Sequence, residues 1–106
     1  MKWVKVFDSP ETANSQFADR DTIMVLIGKR ELCLVKFNNE YFAVSDLCPH
    51  QRESLSKGQI TPYGEIVCPL HFYRFNLKTG TECQNRTDDL KRFQVKVDDS
   101  GLFIYY

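Results

Sequence analysis

Histidine is scarce in this chain, with only His50 and His71 among 106 residues. A site that needs three imidazoles is therefore excluded. If both histidines serve one site, a second metal centre built on two histidines and a carboxylate is excluded as well. The sequence also has no G-x-G-x-x-G motif for a dinucleotide. We therefore expect no catalytic centre of the chain's own.

Neither sign of charge is in excess, because Lys and Arg total 14 and Asp and Glu total 14. This balance removes the usual electrostatic basis for binding nucleic acid or an anionic membrane. The longest nearly apolar run, residues 23–28, has six residues, against about 20 for a membrane-spanning helix. The first residues alternate in polarity and contain no signal-peptide segment. We therefore expect a cytoplasmic chain that binds neither nucleic acid nor membrane.

The length of 106 residues predicts one domain over residues 1–106. Short runs of β-forming residues predict strands, and no stretch has a convincing helical period. The predicted strands are 3–7, 22–27, 31–37, 40–44, 93–97 and 102–106. Asn38 and Asn39 predict a hairpin turn, and Ser9-Pro10 predicts the start of a short helical turn. The fold class is therefore all-β, an antiparallel sandwich or small barrel.

Two segments depart from simple alternation. Residues 22–27 are nearly all apolar, which predicts a strand covered on both faces. Residues 45–80 are punctuated by proline and glycine and contain only brief strand-like pieces, at Ile60, 65–67 and 73–77. A long irregular segment in a compact domain is usually functional.

Two short motifs inside the irregular segment carry the chemistry. Cys48 and His50 form a C-x-H motif, Cys68 and His71 form a C-x-x-H motif, and seventeen residues separate them. A zinc site with two cysteines and two histidines usually has a close cysteine pair followed by a close histidine pair. Mixed pairs fit two inequivalent irons instead, one bound by both cysteines and the other by both histidines. Zinc remains an alternative.

Cys33 and Cys83 lie outside the irregular segment. Cys33 stands between two leucines in a predicted strand, which is typical of a small buried hydrophobic residue. Cys83 follows a turn and is expected to be equally inert. An all-cysteine cluster built from these two residues with Cys48 and Cys68 is the alternative, but it would leave both histidines unexplained.

With the residues that follow each motif, the sequence resembles Rieske-type [2Fe-2S] ferredoxins over nearly the whole chain. The further matching positions are Leu55, Gly58, Phe75, Thr79 and Gly80. The resemblance implies a Rieske-like antiparallel β fold with an inserted loop-rich cluster-binding subdomain at about 45–80. It also implies one [2Fe-2S] cluster per chain, with Cys48 and Cys68 on the buried iron and His50 and His71 on the outer iron. Phe72 departs from the family, which usually has glycine after the second histidine.

The resemblance to ferredoxin components of ring-hydroxylating dioxygenases also implies a function. It implies a soluble one-electron carrier between a flavin-dependent NAD(P)H reductase and a terminal oxygenase, not an enzyme. The apolar residues that flank the ligands, Phe72 and Leu70 among them, are candidates for the partner's docking surface. The small Rieske-like subunit of an assimilatory nitrite reductase, paired with the large subunit, and a zinc-binding interaction module are the alternatives.

The same resemblance implies a low midpoint potential. High-potential Rieske proteins carry a serine and a tyrosine after the second histidine, where this chain has Tyr73 and Phe75. They also brace the two loops with a disulfide, whose positions are taken here by Glu53 and Leu70. We therefore expect a potential near the bottom of the Rieske range, which spans about −150 to +300 mV.

Overall fold

The structure is a computed structural model that describes residues 2–49 and 53–106. Most of the regular structure is β-strand, with one α-helix, α1 (Pro10–Gln16), and a 3₁₀ helix at Leu55–Lys57 in the described residues. The strands are β1 (Trp3–Phe7), β2 (Thr22–Ile27), β3 (Arg30–Phe37), β4 (Glu40–Ser45), β5 (Gln59–Ile60), β6 (Glu65–Val67), β7 (Arg74–Asn76), β8 (Arg92–Phe93), β9 (Val95–Asp98) and β10 (Gly101–Tyr105).

The strands pair into three antiparallel sheets. Their orders are β1-β10-β9, β2-β3-β4-β8 and β5-β6-β7. The first two sheets enclose one apolar core, which includes Leu34, Ala43 and Ile104. The third sheet, formed by the irregular segment, encloses a second core with one face of the β2-β3-β4-β8 sheet. The predicted all-β, antiparallel fold is confirmed.

The local turn and cap predictions agree with the structure. Asn38 and Asn39 have φ angles of 56° and 64°, as the central residues of a tight β3–β4 hairpin require. The Ser9 hydroxyl accepts a hydrogen bond from the Thr12 N–H at 3.1 Å and caps α1. The helix continues to Gln16 and is longer than the single turn expected.

The prediction that residues 22–27 are covered on both faces is wrong. β2 lies at the edge of its sheet and, within the described residues, pairs with β3 alone. Ile23, Met24 and Leu26 are exposed, Leu26 by 62%. A continuous apolar run predicts a strand but does not show how many of its sides other elements cover, because that depends on distant parts of the chain.

The predicted strand at 93–97 is divided in the structure. β8 pairs with β4, whereas β9 pairs with β10 in another sheet. The chain passes between the two sheets at Gln94, whose carbonyl accepts the Tyr105 N–H at 2.9 Å. The alternation of side chains persists through this crossing, so the pattern alone does not show it.

No helix in the described part of the chain has the length and apolar character needed to cross a membrane.

Candidate metal centre

Two loops carry the candidate ligands. The first follows β4 and is closed by a hydrogen bond from the Cys48 N–H to the Glu53 carbonyl at 2.9 Å. The second connects β6 to β7 and is closed by a bond from the Cys68 N–H to the Tyr73 carbonyl at 2.8 Å. Each loop is thus tied at a cysteine, which fixes the backbone that carries the sulfur.

The structure brings Cys48 and Cys68 together. Both residues are fully buried in the same apolar core, and the Cys48 thiol is close enough to the Cys68 thiol to affect its pKa. Burial raises the pKa of Cys68 to about 11, and the neighbouring Cys48 and the Glu53 carboxylate also raise it, whereas the Leu70 N–H lowers it. Thiolates are the form that binds metal, and a bound cation would stabilise them there. An adjacent buried thiol pair therefore fits the inner iron of a Rieske cluster.

His71 occupies a different environment from the cysteines. It lies at the exposed tip of the second loop, with a φ angle of 66°. His50 lies outside the described residues. Within residues 2–49 and 53–106, no three His, Cys, Asp or Glu side chains form a group that could hold a metal. Buried sulfur with an exposed imidazole agrees with the asymmetry expected of two inequivalent irons.

The other two cysteines are placed apart from a ligand group. Cys33 is buried on β3, where burial and the nearby Asp46 charge raise the pKa of its thiol far above the ordinary range. Cys83 is exposed, and its thiol donates to a Glu82 carboxylate oxygen at 3.2 Å. All four cysteines lie in the described part of the chain, and there they form no group that could hold a metal. The arrangement therefore gives no support to an all-cysteine cluster.

Asp46 is a site residue that the sequence did not indicate. Its buried carboxylate accepts the Ser56 N–H at 2.8 Å and the Ser54 hydroxyl at 2.5 Å. Its carbonyl also accepts the Leu55 N–H at 2.6 Å. Asp46 therefore joins the start of the first loop to the 3₁₀ helix at its end. An aspartate just before a loop motif is typical of a turn, and this ordinary pattern conceals its role.

Gly58 explains how the two loops approach each other. A Cβ atom at this position would lie 1.9 Å from the Val67 carbonyl oxygen, a backbone atom directly before Cys68. Only glycine allows this close contact without a backbone shift. The glycine that the resemblance singled out is thus required by the packing of one loop against the strand that leads into the other.

Glu82 and Arg86 form an ion pair behind the second loop. The Glu82 side chain is buried, and Arg86 contacts it through Nη2 at 2.7 Å and Nε at 3.1 Å. The Arg86 backbone N–H also donates to Oε1 of Glu82 at 2.7 Å. Hydrogen bonds from Arg86 lower the pKa of Glu82 to about 2, although burial opposes the shift.

The ion pair predicts a pH dependence of stability. An ordinary Glu pKa of 4.5 falls to about 2 in the fold, so this stabilisation is complete above pH 4.5 and is lost as pH falls toward 2. We expect the melting temperature to fall more steeply between pH 5 and 3 in the wild type than in E82Q. Scanning at a fixed rate is needed because cluster release makes unfolding irreversible. Parallel curves for the two proteins would contradict the assignment.

Phe72 carries backbone strain at the tip of the second loop. Its φ angle is 59° and its side chain is 72% exposed. The left-handed region costs a residue with a Cβ roughly 1–2 kcal/mol, and replacement by glycine removes this cost. Part of the stabilisation is offset because glycine has a larger conformational entropy in the unfolded state. We expect F72G to raise the melting temperature by about 2–5 °C.

F72A is the matched control for F72G. It removes the same exposed ring but keeps a Cβ in the left-handed conformation, so no increase is expected. An equal rise of the melting temperature in both variants would show that the exposed ring, and not the backbone, is responsible.

The fold and the two loops define the chain as a small antiparallel β domain in which one loop brings a buried cysteine, Cys68, beside Cys48 of the other and carries an exposed histidine, His71, at its tip. The family profile of the Rieske [2Fe-2S] domain matches residues 2–98, and the chain belongs to this family. Its cofactor is accordingly a Rieske-type [2Fe-2S] cluster.

Known relatives agree with this assignment. The chain is 37% identical over 75 residues to a 3-phenylpropionate/cinnamic acid dioxygenase ferredoxin subunit from Photorhabdus laumondii, with 70% of this chain and 71% of the relative covered. A similar solved structure is the ferredoxin in a complex of reduced oxygenase and oxidised ferredoxin of carbazole 1,9a-dioxygenase. Its TM-score is 0.82 and its sequence identity is 26%, and the match covers 96% of this chain and 100% of that one. A protein described as a nitrite reductase NADPH small subunit has a TM-score of 0.80 and 22% identity, with both chains fully covered.

Proposed function

We propose that the chain is a one-electron carrier in which Cys48 and Cys68 bind one iron of the cluster and His50 and His71 bind the other. The observation that carries this proposal is the buried contact between the two thiols beside an exposed loop tip with His71. When bound, the cluster supplies one reversible electron. The exposed imidazole of His71 would shorten the electron-transfer path to a partner protein, and the burial of Cys48 and Cys68 would protect the cluster from water.

Both redox partners are inferred from the relatives. Ferredoxin subunits of dioxygenases are among the curated relatives of the chain, and a ferredoxin of the same fold forms a complex with its oxygenase. The proposed route runs from a flavin-dependent NAD(P)H reductase, through this chain, to a terminal oxygenase. We place it in the cytoplasm, as a single domain whose cluster-binding part spans about 45–80.

The partner-facing surface is proposed to lie at the loop tips. Phe72 and Leu70 are exposed large apolar residues beside His71, which is typical of an interaction site. A cleft of about 180 Å³ lies next to them, lined by Lys57 and Pro69 together with Phe72. An apolar rim with a cation at its edge fits a partner surface that presents an apolar side chain near a carboxylate.

The experiment that tests the function starts with the purified, anaerobically reconstituted protein. We expect about two irons and two sulfides per chain, and uptake of one electron from dithionite with a Rieske-type EPR spectrum. The reduced protein is then mixed with the oxygenase component of 3-phenylpropionate dioxygenase in a stopped-flow instrument. Rapid reoxidation supports the proposal. One zinc per chain, or an iron centre that dithionite does not reduce, would overturn it.

A small subunit of a nitrite reductase is the second candidate. The fold match to such a subunit favours it. The same stopped-flow experiment, run with a sirohaem-containing large subunit of an assimilatory nitrite reductase, separates the two functions. Faster reoxidation by the sirohaem subunit, with a stable complex on gel filtration, would favour this candidate over the dioxygenase ferredoxin.

A further inference from the structure

The ion pair behind the second loop holds one guanidinium in a defined orientation. Arg86 contacts both carboxylate oxygens of Glu82, through two different nitrogens. This two-pronged geometry fixes the plane of the guanidinium more strictly than a single hydrogen bond does. Glu82 in turn has a buried side chain, so the pair cannot change its geometry without exposing or abandoning a buried charge.

The oriented guanidinium of Arg86 reaches the second loop through Tyr73. It lies 3.7 Å from the centre of the Tyr73 ring, a distance typical of cation–π and stacking contacts. Tyr73 supplies the carbonyl that accepts the Cys68 N–H. Two successive contacts therefore connect Arg86 to the backbone of a candidate ligand.

The backbone beside Glu82 is attached to the same part of the chain. The Cys83 N–H donates to the Arg74 carbonyl at 2.9 Å, and Glu82 forms an isolated β-bridge with Phe75. The segment that carries the ion pair is thus paired with the residues that directly follow the second loop. Its position relative to Tyr73 is set by backbone hydrogen bonds as well as by side chains.

The second loop needs such an anchor because its tip is strained. His71 and Phe72 both have φ angles in the left-handed region, which residues with a Cβ avoid. Unlike the asparagines of the β3–β4 turn, two consecutive residues with side chains as large as His and Phe persist in this conformation only when the surrounding structure imposes it. Without an anchor, the loop would relax and move His71 relative to Cys68.

We propose that Arg86 is a positioning residue for the cluster. Oriented by its ion pair with Glu82, Arg86 holds the Tyr73 ring and so keeps the second loop in the shape that presents Cys68 and His71. This inference rests on the proposed ligand set but not on the identity of any redox partner.

The test compares the iron-loaded wild type with R86M, R86K and E82Q. R92M, which removes an exposed arginine from β8, is the matched control for the loss of one positive charge. Hydrogen–deuterium exchange measures the protection of residues 68–74, and the EPR spectrum and the rate of iron release to a chelator measure the centre itself. None of these readouts requires a partner protein.

In R86M we expect exchange in residues 68–74 to be faster by at least about tenfold, with faster iron release and a changed EPR line shape. E82Q should change the same readouts in the same direction, because it weakens the two-pronged contact that orients Arg86. R86K keeps the charge but lacks the planar fork, so it should restore less than half of the protection. R92M should match the wild type.

Unchanged exchange and EPR in R86M, with only a lower melting temperature, would show that the pair merely stabilises the turn at 82–86 and would overturn the inference. Full rescue by R86K would overturn it as well, because charge alone would then suffice. If R86M does not fold, the comparison of R86K and E82Q with R92M decides by the same criteria. A wild-type chain that holds no iron after reconstitution would instead refute the proposed function. The failure of the inference and the failure of the proposed function are therefore distinguishable.

Discussion

Replacing Cys68 with alanine is expected to abolish cluster binding and reduce the iron content from about two atoms per chain to near zero. The reason is the burial of Cys68 beside Cys48, which supports their proposed role as the two sulfur ligands. Alanine at position 68 would leave Cys48 without the neighbouring thiol that completes the proposed pair of sulfur ligands. The measurement is iron and acid-labile sulfide per chain after anaerobic reconstitution, together with the visible spectrum.

C33A is the matched control for C68A, because Cys33 is also fully buried in the same core. Burial raises the pKa of both thiols, so burial alone does not distinguish them. The contact with a second thiol does. We expect C33A, and likewise C83A at the surface, to keep the full iron content. Iron loss in C33A comparable to that in C68A would refute the assignment of the sulfur ligands.

The extent to which the sequence predicts this structure depends on how local each determinant is. The hairpin at Asn38 and Asn39 and the cap at Ser9 were predictable, because a few neighbouring residues decide their backbone angles. The cysteine and histidine motifs were equally visible, because each Cys-His pair lies within four residues. Local chemistry of this kind leaves a pattern in the sequence that pairing with distant segments does not alter.

The features that escaped prediction depend on distant partners. The exposed face of β2, with Met24 and Leu26, has no covering layer in the described part of the chain, and the division at Gln94 results from pairing with two different sheets. Asp46 gains its role only when the segment 54–56 folds back onto it. Charged residues such as Glu82 and Arg86 look like surface residues until the fold buries one of them.

Phe72 was predictable from the sequence only in part. Its departure from the family was visible in the sequence, and the structure adds the cost, a strained backbone beneath an exposed ring. A residue that is unfavourable both in its backbone and in its exposure is of the kind that function retains at the expense of stability. This is the physical reason to associate it with partner binding and to expect F72G to be more stable yet a poorer electron donor.

Replacing His71 with cysteine is expected to lower the midpoint potential by on the order of 100 mV, or to prevent assembly of the cluster. With two thiolates, two sulfides and two ferric ions, the oxidised cluster is neutral, and a third thiolate makes it negative. Adding an electron to a negatively charged cluster is less favourable, which is why all-cysteine clusters lie near −400 mV. His71 sits at the loop tip with a left-handed backbone, a conformation that the substitution neither creates nor relieves.

The measurement is a redox titration of H71C monitored by EPR, beside the wild type and Y63C. Tyr63 is 84% exposed, so its variant controls for an added surface cysteine and is expected to keep the wild-type potential. For the wild type we expect a value near the bottom of the Rieske range, since the buried Phe75 carries no hydroxyl to donate. An intact cluster with an unchanged potential in H71C would show that His71 is not a ligand, because replacing a neutral ligand by a charged one must alter the energy of reduction.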